Sequence, residues 1–131
     1  MPAIRVHLLP RDTNAYGTIF GGVILSQIDL ASAVEARKVA RCRFVTKALR
    51  EVEFHAPVYL GDVVSFYTET LRVGRTSVTV KVTVEVERWG DDTGGRSAAG
   101  ETVKVTEAEV VLVAVDAAGR PTPIRPEPLS V

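Results

Sequence analysis

Val23-Ile24-Leu25-Ser26-Gln27-Ile28-Asp29-Leu30-Ala31-Ser32-Ala33-Val34 is the stretch on which the fold turns. Ile24, Ile28, Ala31 and Val39 recur at helical spacing, so the pattern predicts a helix from Val23 to Ala40. Its first half is apolar nearly all round. A helix with no polar face is buried on every side, and that is the expectation here. The second half carries Glu35, Arg37, Lys38 and Arg41 and should emerge into solvent. Basic residues at that end also suit the negative pole of the helix dipole.

On either side of this helix the chain reads differently. Ile4 to Leu8 is a short strand ended by Pro10, and Arg11-Asp12-Thr13-Asn14 is a polar loop. After the helix come four strand candidates: Phe44 to His55, Val63 to Val73, Thr76 to Glu87 and Val103 to Val115. The third is the clearest, with Val78, Val80, Val82, Val84 and Val86 on one face and Thr79, Lys81, Thr83, Glu85 and Glu87 on the other. In the last, Glu107 and Glu109 fall in phase with Val111 and Val113, which points to a bulge. Trp89 to Gly100 is polar and Gly-rich, a flexible connection. Residues 117–131, with Pro121, Pro123, Pro126 and Pro128, read as an extended C-terminal tail. The fold class is therefore α+β: an antiparallel β-sheet wrapped around one long central α-helix, in a single domain spanning 1–131. A curved sheet with a free edge invites pairing with a second subunit.

Composition narrows the function. Hydrophobic residues make up 46% of the 131, enough for a real core. Sixteen basic residues balance 16 acidic ones. Nucleic-acid binders draw affinity from neutralising phosphates and carry a basic excess, so no nucleic-acid partner is expected. Cys42 is the single cysteine, which excludes an internal disulfide and fits a reducing compartment. One cysteine and two histidines, His7 and His55, make a protein-built zinc site improbable. The first residues lack the basic and apolar pattern of a signal peptide, so none is expected, and no apolar run approaches the ~20 residues that span a bilayer. The expected location is the cytoplasm, with no membrane partner.

Asp29 is the only charged residue between Tyr16 and Val34. A carboxylate in a buried segment must be hydrogen-bonded, paired or neutralised. Either it reaches solvent or backbone amides at a rim, or it is a tuned base or nucleophile. Gly21-Gly22 opens the helix, whose first amides lack partners within it. These glycines either permit close packing or present an amide to a developing oxyanion. Asn14, in the loop before, is either a turn former or a residue that orients a water. Val73-Gly74-Arg75-Thr76-Ser77 is either an ordinary hairpin connection or a phosphate contact, since guanidinium recognises phosphate well. His7 and His55 carry no sharper signal and receive no catalytic role.

Together, Asp12-Thr13-Asn14-Ala15-Tyr16-Gly17-Thr18-Ile19-Phe20-Gly21-Gly22 and Ser26-Gln27-Ile28-Asp29 resemble the signature of acyl-CoA thioesterases of the YciA and brain-type cytosolic acyl-CoA hydrolase group. The similarity continues through Phe54-His55-Ala56-Pro57-Val58, Gly61-Asp62-Val63-Val64, the Arg75 turn, Val113-Ala114-Val115-Asp116 and Gly119-Arg120. The resemblance implies a hotdog fold and hydrolysis of acyl-CoA to free acid and coenzyme A, without metal or organic cofactor. It implies a homodimer with two interfacial sites, often assembled into a hexamer. Asp29 matches the catalytic carboxylate, Asn14 the residue contributed by the opposite subunit, and Gly22 the amide facing the thioester oxygen. Arg75, Thr76 and Ser77 match the turn that meets the coenzyme A moiety. Tyr16 and Val23 sit where variation tunes the acyl tunnel. Two other readings keep the fold and change the activity: a non-catalytic acyl-CoA sensor, and an enoyl-CoA hydratase or dehydratase. The latter pairs a carboxylate with a histidine, and both histidines lie outside the signature around Asp29.

Overall fold

The computed structural model describes residues 1–19, 21–88 and 101–124. The order of elements is β1 (Ile4–His7), a short 3-10 turn (Pro10–Asp12), α1 (Gly21–Val39), β2 (Arg43–Phe54), β3 (Val63–Val73), β4 (Ser77–Arg88) and β5 (Glu101–Val115). The five strands form one antiparallel sheet in the order β1-β3-β4-β5-β2. Helix α1 lies across one face of it, the arrangement of the hotdog fold. Val78, Val80, Val82, Val84 and Val86 of β4 all point inward and are fully buried, as their alternation predicts. Val64 and Phe66 of β3 join them, with Val105, Val110 and Leu112 of β5. Against this floor α1 packs Ile24, Ile28, Ala31 and Ala36. The predicted connection Trp89–Gly100 lies outside the described residues, as does Phe20 of the signature.

The helix is not buried on every side. One sheet covers one face only, and within the single chain Leu30 remains 55% exposed and Val34 42%. The other early expectation for this helix also changes. Glu35 does not emerge into solvent: it accepts hydrogen bonds from the hydroxyls of Thr68 (3.1 Å) and Thr70 (2.8 Å) on β3. Those threonines occupy the inward phase of β3, paired with Val82 and Val80, so the sheet supplies polar partners beneath the helix where the sequence suggests only water.

The bulge of β5 lies elsewhere than expected. From Thr106 to Val113 the register with β4 is continuous. Glu107, Glu109, Val111 and Val113 simply share the half-exposed outer face, while Ala108, Val110, Leu112 and Ala114 are buried. The irregularity falls at Val105, where Val84 pairs Thr106 but Glu85 pairs Lys104. The Val105 carbonyl is thereby freed to accept the amides of His55 (2.8 Å) and Ala56 (3.4 Å). Two shifts also interrupt β2, at Lys47 and between Arg50 and Glu53, where Glu51 takes a positive φ of 53°. The described part of the tail is docked: the Thr122 amide donates to Ala114 and the Ile124 amide to Arg75, each at 2.8–2.9 Å. Residues 125–131 lie outside the described residues. Among the described residues no helix is long and apolar enough to cross a membrane.

Candidate active site

Asp29 lies on the face of α1 that the sheet does not cover, half-buried, toward the free edge of β2. One of its carboxylate oxygens, Oδ1, accepts the hydroxyl proton of Thr46 on that strand. Thr46 pairs with Leu112, whose side chain is buried beneath the helix, so Thr46 shares the helix-facing side. The irregularity at Lys47 follows immediately. Beyond it, Ala48 pairs the outward Val111 and Leu49 the inward Val110. The sequence reading missed Thr46: without the register, a threonine in a strand carries no signal.

Asn14 is held within its own loop. Its Oδ1 accepts the amides of Tyr16 (2.8 Å) and Thr18 (3.3 Å), and its Nδ2 donates to the Thr18 hydroxyl (2.8 Å). This is the turn-forming role expected of Asn, and it also fixes the side chain. Gly22 sits exposed in the first turn of α1. The preceding Gly21 lies under the Phe54 ring: a Cβ there would come 3.6 Å from Phe54 Cζ. Gly22 and Asp29 are seven residues apart on one helix, hence on one face and about 10 Å apart along the axis at 1.5 Å per residue.

A groove of about 330 Å³ opens at this helix start, lined by Thr18, Ile19, Gly21, Ile24 and the segment Phe54–Val58. Its walls are chiefly apolar, and backbone amides of the helix start lie beside it, the mix typical of small-molecule sites. The Arg75 turn is not part of it. In the sheet register Val78 lies level with Thr46, whereas Val84 lies level with Phe54. Six residues of strand, about 20 Å, therefore separate the turn from the helix start. Arg75 is exposed, its carbonyl holds Ile124, and Gly74 closes the turn by donating its amide to the Ser77 carbonyl at 2.7 Å. One chain thus puts on the groove Thr18, which holds Asn14, and Gly21, which precedes Gly22, places Asp29 farther along the helix, and leaves Arg75, Thr76 and Ser77 at the other end of the sheet.

His55 faces the outer surface. Its Nε2 lies 3.3 Å from Glu107 and 3.7 Å from Glu53. The three could share a cation geometrically, with donor atoms within 4.8 Å of one another. Lys104 and Lys81 already pair with the other Glu107 oxygen. The contact with Lys104 is the main cause that holds the Glu107 carboxyl below its ordinary value, against an upward push from burial and with smaller help from His55 and Lys81. The group reads as a surface ion-pair network.

Comparison with known proteins fits this geometry. Residues 16–89 match the sequence model of the thioesterase superfamily. The acyl-CoA thioester hydrolase YciA of Salmonella typhimurium is 37% identical over 121 residues, 92% of this chain and 87% of that protein. A hexameric hotdog-fold thioesterase of Campylobacter jejuni superimposes with a TM-score of 0.86 at 41% identity, covering 95% of this chain and 90% of that one. A hexameric broad-specificity acyl-coenzyme A thioesterase, in the crystal of an aspartate-to-alanine mutant, gives a TM-score of 0.86 at 39% identity over 95% of this chain and 86% of its own.

Proposed function

The chain belongs to the thioesterase superfamily, and from that premise we propose that it hydrolyses acyl-coenzyme A to a carboxylic acid and coenzyme A. The observation that carries this reading is the Asp29–Thr46 contact: the one carboxylate of an otherwise uncharged segment, aimed by a hydroxyl on the open face of the helix. Asp29 acts on the thioester as general base or as nucleophile. As base it takes a proton from water while the water oxygen bonds to the carbonyl carbon. The negative charge moves to the carbonyl oxygen, facing the Gly22 amide. Collapse of that intermediate expels coenzyme A as thiolate, which then takes up the proton. A thiolate leaves readily, so the reaction needs neither a strong general acid nor a metal or organic cofactor. Asn14 orients the water or the developing charge.

The axial gap between Gly22 and Asp29 bears on the choice. Direct attack needs reacting atoms about 3–3.5 Å apart, so a nucleophilic Asp29 would have to come from a different subunit than the Gly22 amide. A bridging water relaxes that demand. The exposed apolar strip supports assembly: Leu30 and Val34 on α1 with Leu49 and Phe54 on the adjoining free edge of β2. An unpaired edge beside an apolar face is a surface for pairing. The chain is read as a homodimer through that edge, with Asn14 and Asp29 of each site supplied by different subunits, and three dimers forming a hexamer like those of the structural relatives. The Arg75 turn, far from the helix start in its own chain, meets the nucleotide part of coenzyme A. Lone Cys42 suits a reducing, cytoplasmic setting.

The test is thiol release from a panel of acyl-CoAs of short to long chain, with a parallel assay for hydration of an enoyl-CoA. Thiol release is the predicted result. Tight binding of acyl-CoA with no thiol released, or hydration without hydrolysis, overturns the proposal.

A further inference from the structure

Outside the residues matched to catalysis, the best-built polar group among the described residues is the pair Asp62–Arg88. The Asp62 side chain is 5% exposed and that of Arg88 15%. Arg88 donates through Nε to Asp62 Oδ1 (3.3 Å) and through Nη2 to Oδ2 (3.0 Å), a forked contact. Its Nη2 also donates to the Pro57 carbonyl at 3.0 Å, and its guanidinium lies 4.9 Å from the centre of the Tyr59 ring. Asp62 in addition accepts the Tyr59 amide at 2.9 Å. One ion pair therefore holds the β2–β3 connection at Pro57, Tyr59 and Asp62.

That connection holds the catalytic segment in turn. The Val58 carbonyl accepts the Ile19 amide at 2.7 Å, and Thr18 bridges to Tyr59. Thr18 makes two of the side-chain hydrogen bonds of Asn14, and its carbonyl accepts the Asn14 amide at 2.8 Å. Three residues past Ile19, the chain reaches Gly22. His55 to Val58 also form a wall of the groove. The sequence from ion pair to Asn14 and the helix start is continuous and short.

Net stability is a poor reason for such a pair. Desolvating two charges offsets most of their attraction, and an apolar pair of similar volume often stabilises as well. What an apolar pair lacks is direction: a guanidinium fork and a carboxylate fix several neighbours at set angles. We infer that Asp62 and Arg88 are positioning residues for thioester hydrolysis, fixing Asn14 and the Gly22 amide through the Pro57–Tyr59 connection. The inference rests on the hydrolase reading proposed above.

The experiment compares Asp62→Asn, Arg88→Met and the milder Arg88→Lys with Val80→Ala, a fully buried site at the centre of β4. Melting temperature and kcat and KM for thiol release are measured well below each transition. Misplacement of about 1 Å at a reacting centre can cost on the order of a hundredfold. The expected result is a fall in kcat of about tenfold or more for Asp62→Asn and Arg88→Met, at every chain length, with KM changed far less. Val80→Ala should lose comparable melting temperature and keep its kcat. If the first two variants do not fold, Arg88→Lys decides by the same criterion. Retention of kcat within about twofold in the folded clamp variants overturns the inference, as does an equal loss in Val80→Ala. An active wild type with active clamp variants sinks the positioning role alone; a wild type that releases no thiol sinks the hydrolase reading and this inference with it.

Discussion

Replacing Thr46 by Val removes one hydroxyl and little else. The two side chains are nearly the same shape, and Thr46 lies on an edge strand, so folding stability should fall by no more than the hydrogen bond itself contributes. The lost interaction is a hydrogen bond to an ionised carboxylate, a class that contributes about 1.5–3 kcal/mol. If all of it is expressed in the barrier, at tenfold per 1.36 kcal/mol, turnover falls between about 13-fold and about 160-fold. Water can reach the half-buried carboxylate and replace part of the interaction, so the expected value lies near tenfold. The assay is thiol release under saturating acyl-CoA, with Thr46→Ser alongside. Serine retains the hydroxyl and should recover most of the rate. If Thr46→Val turns over within twofold of wild type, or if serine is as impaired as valine, the hydroxyl does not aim Asp29 for catalysis.

Further outcomes follow from other parts of the structure. Burial pushes the Glu35 carboxyl upward, but the hydroxyls of Thr70 and Thr68 and the charge of Lys38 outweigh it and hold the group below its ordinary value. A depressed folded value adds stability that is present above the unfolded value and is lost as pH falls through the folded one. Between about pH 6 and about pH 3, the urea midpoint of the wild type should therefore drop further than that of Glu35→Gln. Leu30→Asp together with Leu49→Asp puts charge on the apolar strip and should dissociate the assembly on light scattering while circular dichroism stays unchanged; an intact oligomer would move the interface elsewhere. Arg75→Ala should raise KM for acyl-CoA several-fold yet leave hydrolysis of an acyl-pantetheine, which lacks the nucleotide, unaffected.

Much of this fold is written locally. The valines of β4 alternate with polar residues, and every one from Val78 to Val86 is buried as that alternation requires. The helix is marked by Ile24, Ile28 and Ala31 at its own spacing, and Gly21-Gly22 mark its first turn. Contacts between distant segments were not legible. Thr46 meets Asp29 only because β2 pairs with β5 in one register, which the irregularity at Lys47 ends. Glu35 reads as a solvent charge until Thr68 and Thr70 are seen to point at the helix. Likewise the acid of Gly61-Asp62 has no visible partner until Arg88, 26 positions later, is brought beside it. The apolar surround of the helix misled for a related reason: periodicity reports that a face avoids water, not whether its own sheet or another copy of the chain will cover it.

The most direct measurement is thiol release by Asp29→Asn beside the wild type. Asparagine keeps the shape and can still accept from Thr46, but it can neither take a proton from water nor attack the carbonyl as a carboxylate. The predicted loss is at least about 10²-fold in kcat, the scale of general-base catalysis, in a variant that folds and assembles like the wild type. Hydrolysis at a near-normal rate by that folded variant would contradict the central role given to Asp29.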